Sequence, residues 1–216
     1  MVEYVEVARA DSARGEVVLR ERRDPDDAGT GPAVLELRVN GVFVMDTLET
    51  SSEKGLATTA LSQVAEPRAV LVGGLGLGFT LHEVLADHRV ERLVVVEIED
   101  SLVRWMRDGT VPHGPSFLAD ERLTVVTADI RTAIAEAAPE SYDLVLLDVD
   151  NGPGFLARTR ATLRPGGALV VWSAAESPRL QADITDVFGN VAPIPYDVTL
   201  QSREEHYWLY LARREG

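Results

Sequence analysis

The chain has 216 residues, 45% hydrophobic and 26% charged, which suits a globular domain with a small appendage and excludes a disordered or collagen-like chain. Asp and Glu number 35 against 21 Lys and Arg, a formal net charge of −14, which opposes contact with a phosphate backbone and predicts no nucleic-acid partner. With no cysteine, the sequence excludes disulfides, thiolate metal sites and cysteine nucleophiles.

No apolar run reaches the roughly 18 residues of a membrane span. The N-terminus, MVEYVEVARADSARGE, lacks the basic-then-apolar pattern of a signal peptide. The expectation is a cytoplasmic protein with no membrane partner.

Residues 1–60 read as a small β region ending in the start of a linker helix. Glu16–Glu21 alternates loosely, and the turn formers of residues 24–32 predict an exposed loop. Val34–Val39 and Val42–Met45 flank Asn40-Gly41, a strong hairpin signal because both turn residues tolerate positive φ. A helix is expected from about Ser52 to Gln63, capped by Ser51 or Ser52.

Residues 61–216 read as the main domain. Apolar runs at 68–72, 93–96, 123–126, 142–147 and 168–172 alternate with helical spacing near 81–85, 100–108, 131–138 and 154–163. Continuous apolar strands bridged by helices predict a doubly wound parallel sheet covered on both faces. A helix near 177–188 and two strands near 194–200 and 206–213 predict an antiparallel edge, for seven strands in all.

Open α/β sheets bind ligands at the C-terminal ends of their strands. Four candidate sites lie there. Gly73-Gly74-Leu75-Gly76-Leu77-Gly78 joins a strand to a helix, where glycines let backbone approach a ligand and the helix N-terminus adds donors. No Gly-Lys-Ser/Thr follows, so it is not a P-loop. The three-glycine dinucleotide pattern also fails, because Phe79 stands in its third position. Glu97 ends the next strand, 19 residues past Gly78, where a carboxylate can accept from both hydroxyls of a ribose. A solvated strand-end carboxylate is the simpler alternative. Glu99 and Asp100 read as solvated or helix-capping. Asp129 could accept from an adenine amine, cap the following helix, or do both. Asp148-Val149-Asp150-Asn151-Gly152-Pro153 places two carboxylates at the crevice mouth, where one could hold an amine or take its proton. The alternative is a polar loop built of turn formers. The four histidines show no paired metal spacing, so no metal is expected. Trp105, Trp172 and Trp208 read as packing residues, with Trp172 near the cleft.

The order of these motifs resembles the class I AdoMet-dependent transferase fold, and more closely the spermidine synthase (polyamine aminopropyltransferase) family. Thr80-Leu81-His82-Glu83-Val84 is similar to that family's T-L-R-E-V, Val96-Glu97-Ile98-Glu99 to its V-E-I-D, Ala128-Asp129 to its G-D-A, and Tyr142–Asp148 to its Y-D-V-I-x-x-D. Val44-Met45-Asp46 and Glu49–Glu53 resemble the end of its small N-terminal β domain and linker, so the likeness covers nearly the whole chain. The resemblance implies a Rossmann-like sheet and a homodimer. It implies a cofactor site at Gly73, Gly74, Gly76, Gly78, Glu97, Ile98, Asp129 and Ile130, with Glu97 at the ribose and Asp129 and Ile130 at the adenine. It also implies that Asp148, with Asp150, acts on the attacking amine of a small-molecule acceptor such as a polyamine. The reaction would move an aminopropyl group from decarboxylated AdoMet and leave 5′-methylthioadenosine.

Some positions depart from the family. Its glycine loop carries an aspartate for the donor's amine, and here that position is Leu77, which cannot bind an ammonium. The family's Y-H-E is replaced near Leu56-Ala57-Thr58, and its Asp-Ser-x-Asp-Pro loop by residues 148–153. A methyltransferase using intact AdoMet is therefore the alternative, because no loop carboxylate would oppose a methionyl carboxylate. A non-catalytic nucleoside-binding or scaffold protein is the third reading.

Overall fold

The fold was obtained as a computed structural model, which describes residues 2–23, 33–148, 152–200 and 203–216. The turn-rich stretch 24–32 and the residues Val149, Asp150 and Asn151 lie outside the described residues.

β1 (Glu3–Ser12), β2 (Gly15–Arg23), β3 (Val34–Val39) and β4 (Val42–Asp46) form an antiparallel sheet in chain order. Alternation sends Val17, Leu19, Leu35 and Leu37 to the buried face of β2 and β3. Asn40 and Gly41 turn the second hairpin with φ of 52° and 75°, as the Asn-Gly signal predicts. β1 is the strand the sequence pattern does not reveal. Its Tyr4 and Val7 are exposed, so it carries no buried alternation to read.

α1 (Ser51–Leu61) differs from the expected cap. The N-cap is Thr50, with no side-chain capping bond. Glu49 Oε1 instead accepts the Ser51 N–H at 2.7 Å, and Ser52 Oγ donates to Glu53 Oε2, so neither serine caps.

The main sheet contains β5 (Ala69–Gly73), β6 (Arg92–Glu97), β7 (Leu123–Thr127), β8 (Tyr142–Leu147), β9 (Leu163–Ser173), β10 (Ala192–Leu200) and β11 (Arg203–Arg213). Their order is β10-β11-β9-β8-β5-β6-β7. β5 to β9 pair in parallel, and β11 and β10 close one edge antiparallel. β9 begins five residues before the expected strand, because Leu163 already pairs with Tyr142 ahead of a register shift.

The helices between these strands are α2 (Phe79–Ala86), α3 (Asp100–Asp108), the short α4 (Gly114–Phe117), α5 (Ile130–Glu136), α6 (Pro153–Thr162) and α7 (Pro178–Phe188). α4 was not foreseen. Its Gly114 lies against the Met106 backbone, where a Cβ would sit 2.2 Å from the Met106 oxygen.

Successive strand residues face opposite sides. Val70, Val72, Val95, Leu144 and Leu146 pack under α1, α2, α3 and the small sheet in one continuous core. Leu71, Val145, Leu147, Leu169 and Val171 pack on the other side under α5, α6 and α7. The chain runs outward from β5 to β7, then returns to β8 on the other side of β5. That reversal opens a crevice at the C-terminal ends of β5, β6 and β8.

Candidate active site

Strand ends converge first. The Asp148 N–H donates to Gly73 O at 3.2 Å, and the Gly74 N–H donates to Val96 O at 2.9 Å, so β8, β5 and β6 finish side by side. Gly73 itself is packed from behind, since a Cβ there would sit 2.9 Å from Leu147 and 3.0 Å from Ile130. Gly76 has φ of 50°, and a Cβ would meet Met45 Sδ at 2.8 Å. The neighbouring Leu77 N–H donates to that sulfur at 3.2 Å. Met45 thus docks β4 onto the glycine loop.

The result is a cavity of about 510 Å³ between the small sheet and the strand ends. Pockets of roughly 300–1,000 Å³ suit small ligands and cofactors. Gly74, Gly76, Glu97, Ile98, Asp129, Ile130 and Asp148 all line it, together with Val17, Leu37, Val44 and Met45 from the small sheet. Of the expected residues, Gly73 and Gly78 lie beneath the surface instead. Gly78 caps α2 against Met106 and Phe117. Phe79, which breaks the dinucleotide pattern, starts α2 and packs on His113 and Phe117 behind the loop.

Glu97 is only 7% exposed. Burial raises its pKa, while backbone N–H donors pull the other way. Oε2 accepts from Leu75 N and Oε1 from Glu99 N, both at 2.8 Å. A carboxylate offers about four acceptor sites, so one on each oxygen remains for ligand hydroxyls. Asp129 is the N-cap of α5, its Oδ1 accepting the Arg131 N–H at 2.8 Å, and it lines the cavity as well.

The far end of the crevice is acidic. Asp148 opens toward the cleft yet is crowded by protein. Desolvation, then the charges of Glu53 and Glu97, push its pKa up to about 7. Glu53, in the first turn of α1, is raised too, chiefly by burial. Its carbonyl accepts from Thr80 Oγ1 at 3.2 Å, which ties α1 to the start of α2. Tyr207 is raised by burial and by the carboxylates of Glu205, Glu53, Glu49 and Asp46, and it packs edge-on to Trp172. Trp172 and Asp148 share a second hollow at the end of β9. Asp150, the other expected catalytic carboxylate, lies outside the described residues.

Several site residues escaped the sequence reading. Glu53 appeared there only as linker. Arg14 lines the cavity and donates to Glu99 Oε1 at 2.6 Å, so Glu99 is not solvated; it stands at the N-cap of α3, as one reading expected, but makes no side-chain capping bond. Leu77, noted for its missing charge, points into the core and is fully buried. No local signal marks Arg14, whose partner stands 85 residues away.

Comparison with known proteins bears on the family and the fold. The family model described as the spermine/spermidine synthase domain matches residues 49–185. A polyamine aminopropyltransferase of Pseudomonas aeruginosa is 38% identical over 117 residues, 49% of this chain and 33% of that protein. A putrescine N-methyltransferase of Nicotiana tabacum is 34% identical over 126 residues, 54% of this chain and 35% of that protein. These matches thus span about a third of each relative's length. The spermidine synthase of Thermotoga maritima has a similar fold, with a TM-score of 0.81 at 19% identity, covering 97% of this chain and 72% of that one. The match to well over half of its residues places this chain in the spermine/spermidine synthase family.

Proposed function

We propose that this protein is a transferase that binds an adenosyl-sulfonium donor and moves an aminopropyl group from decarboxylated AdoMet to an amine acceptor. The observation that carries this reading is the junction of two unlike halves. A largely apolar cavity with a ribose-type carboxylate, Glu97, runs up to Asp148, whose carboxyl also feels the charge of Glu53. The cavity fits adenosine: Gly74 leaves backbone room, and Ile98 and Ile130 offer apolar faces for a purine. The acidic end fits a cationic amine, which would relieve the repulsion among its carboxylates.

In this reaction the acceptor nitrogen attacks the aminopropyl carbon bonded to the sulfonium. The carbon–sulfur bond breaks and its electron pair goes to sulfur, releasing neutral 5′-methylthioadenosine. The new ammonium loses a proton to the Asp148 carboxylate. A group whose pKa is about 7 suits that transfer near neutral pH. The rest of the rate comes from holding donor and acceptor in line.

A second reading, methyl transfer from intact AdoMet, draws on Leu77. The glycine loop offers no carboxylate to a donor amine, and the putrescine N-methyltransferases are among the relatives. The test is calorimetric titration with AdoMet, decarboxylated AdoMet, S-adenosylhomocysteine and 5′-methylthioadenosine, followed by by-product analysis with putrescine. Preference for the decarboxylated donor, with 5′-methylthioadenosine formed, supports aminopropyl transfer. Preference for AdoMet, with S-adenosylhomocysteine formed, replaces it by methyl transfer. Binding of none would leave only a scaffold role.

A further inference from the structure

Arg14 sits at the tip of the β1–β2 hairpin, and that tip is held by the neighbouring hairpin. Asn40 Nδ2 donates to Arg14 O at 3.2 Å, and Asn40 Oδ1 accepts the Glu16 N–H at 2.9 Å. The Asn40 N–H in turn donates to Glu16 O at 2.8 Å. Gly15 between them has φ of 114°, and any Cβ there would overlap the Asn40 amide.

From this braced tip the guanidinium crosses to the main sheet. Nε donates to Glu99 Oε1 at 2.6 Å and Nη2 to Ile98 O at 2.7 Å. Glu99 in turn gives its N–H to Glu97 Oε1 at 2.8 Å. Arg14, Glu99 and Glu97 therefore form one chain of contacts along the cavity, all three lining it. The ordinary surface pair Arg104–Asp100 differs: it is a 3.0 Å contact within one helix, with both side chains more than 60% exposed. The Arg14 pair joins the two sheets, and its Glu99 side chain is only 12% exposed.

We propose that Arg14 is a positioning residue for the nucleoside. By gripping Glu99 and the Ile98 carbonyl, it holds the small sheet over the cavity and fixes the turn that presents Glu97 and Ile98. This inference rests on the reading of the cavity as a nucleoside site. Arg14 takes no part in bond making; its effect is on the residence of the adenosyl group.

The test uses 5′-methylthioadenosine, which is uncharged at neutral pH, with the full chain and the variants Arg14→Ala, Glu99→Gln and the double variant. Arg14→Ala should weaken binding roughly fivefold, the scale of a well-placed exposed ion pair. The double variant should lose no more than Arg14→Ala alone, because one contact is removed either way. Added NaCl should weaken wild-type binding, although the ligand carries no charge, and should leave Arg14→Ala unaffected. A structural role alone would not produce that salt response. Wild-type affinity in Arg14→Ala, additive losses, or a salt response that persists without Arg14 would each reject the latch. Failure of the wild-type protein to bind the nucleoside at all would overturn the nucleoside reading, and the latch with it.

Discussion

The two halves of the crevice are built on different physics. The half under the small sheet is satisfied. Glu97 accepts two backbone N–H groups, Asp129 caps a helix, and Met45 accepts the Leu77 N–H. The half around Asp148 is frustrated, with like charges gathered where desolvation by the surrounding protein already penalises ionisation. The satisfied half can hold its shape without a ligand. The frustrated half gains most from a cation. Under the proposed transfer, the satisfied half would bind the nucleoside and the frustrated half would carry the reaction.

The widest separation should come from Asp148→Asn. The amide keeps the shape but cannot take a proton, so kcat should fall roughly 10²–10⁴-fold. Affinity for 5′-methylthioadenosine should stay within about twofold, since that ligand occupies the satisfied half. A matching loss of nucleoside affinity would show that the halves are not separable.

Gly76→Ala should strike the satisfied half instead. The new Cβ would stand 2.8 Å from Met45 Sδ, on a backbone with φ of 50°. The left-handed conformation costs roughly 1–2 kcal/mol with a side chain, and Met45 must move as well. Nucleoside affinity should drop roughly tenfold and thermal stability should fall with it. Intact binding with reduced stability would mean that the Met45 contact serves only the fold.

How much of this contrast could be read in the sequence depends on distance along the chain. The strands of the main sheet were legible because each is a continuous apolar run, as in Tyr142–Leu147. Glu97, Asp129 and Asp148 were legible because strand ends are where such sheets bind ligands. β1 was hidden by its exposure. Glu53 and Arg14 were hidden because their meaning comes from distant partners. Asp148 was found as a carboxylate, but its frustration was not, because Glu53 reaches it only through the fold. Leu77 announced a missing charge, while the burial of its side chain against Met45 and α2 could not be foreseen.

The frustrated half should reveal itself in pH dependence. With Asp148 as proton acceptor, kcat/KM should rise with pH and level off above about 7. Glu53→Gln removes one like charge and should move that inflection to lower pH. The stability sign is fixed by linkage. The folded pKa lies above the ordinary 3.8, so the folded state holds this proton more tightly. That contribution is complete below about pH 3.8 and is lost as pH rises through about 7. Asp148→Asn should flatten this part of the stability curve. An unchanged curve would mean that Asp148 is not frustrated.

The smallest effect belongs to Asp129, where cap and ligand contact share one side chain. Loss of an N-cap costs about 1 kcal/mol. Asp129→Ala should therefore lower stability by about that amount and also weaken nucleoside binding. Asp129→Ser separates the two roles, since a serine hydroxyl caps a helix nearly as well but carries no charge and reaches less far. If the carboxylate meets the adenine, Asp129→Ser should keep the stability of the wild-type protein and still bind 5′-methylthioadenosine a few-fold more weakly, by roughly the worth of one hydrogen bond. If both stability and affinity recover in Asp129→Ser, Asp129 is a cap alone, and the satisfied half recognises the purine through Ile98 and Ile130 without a polar reader at this position.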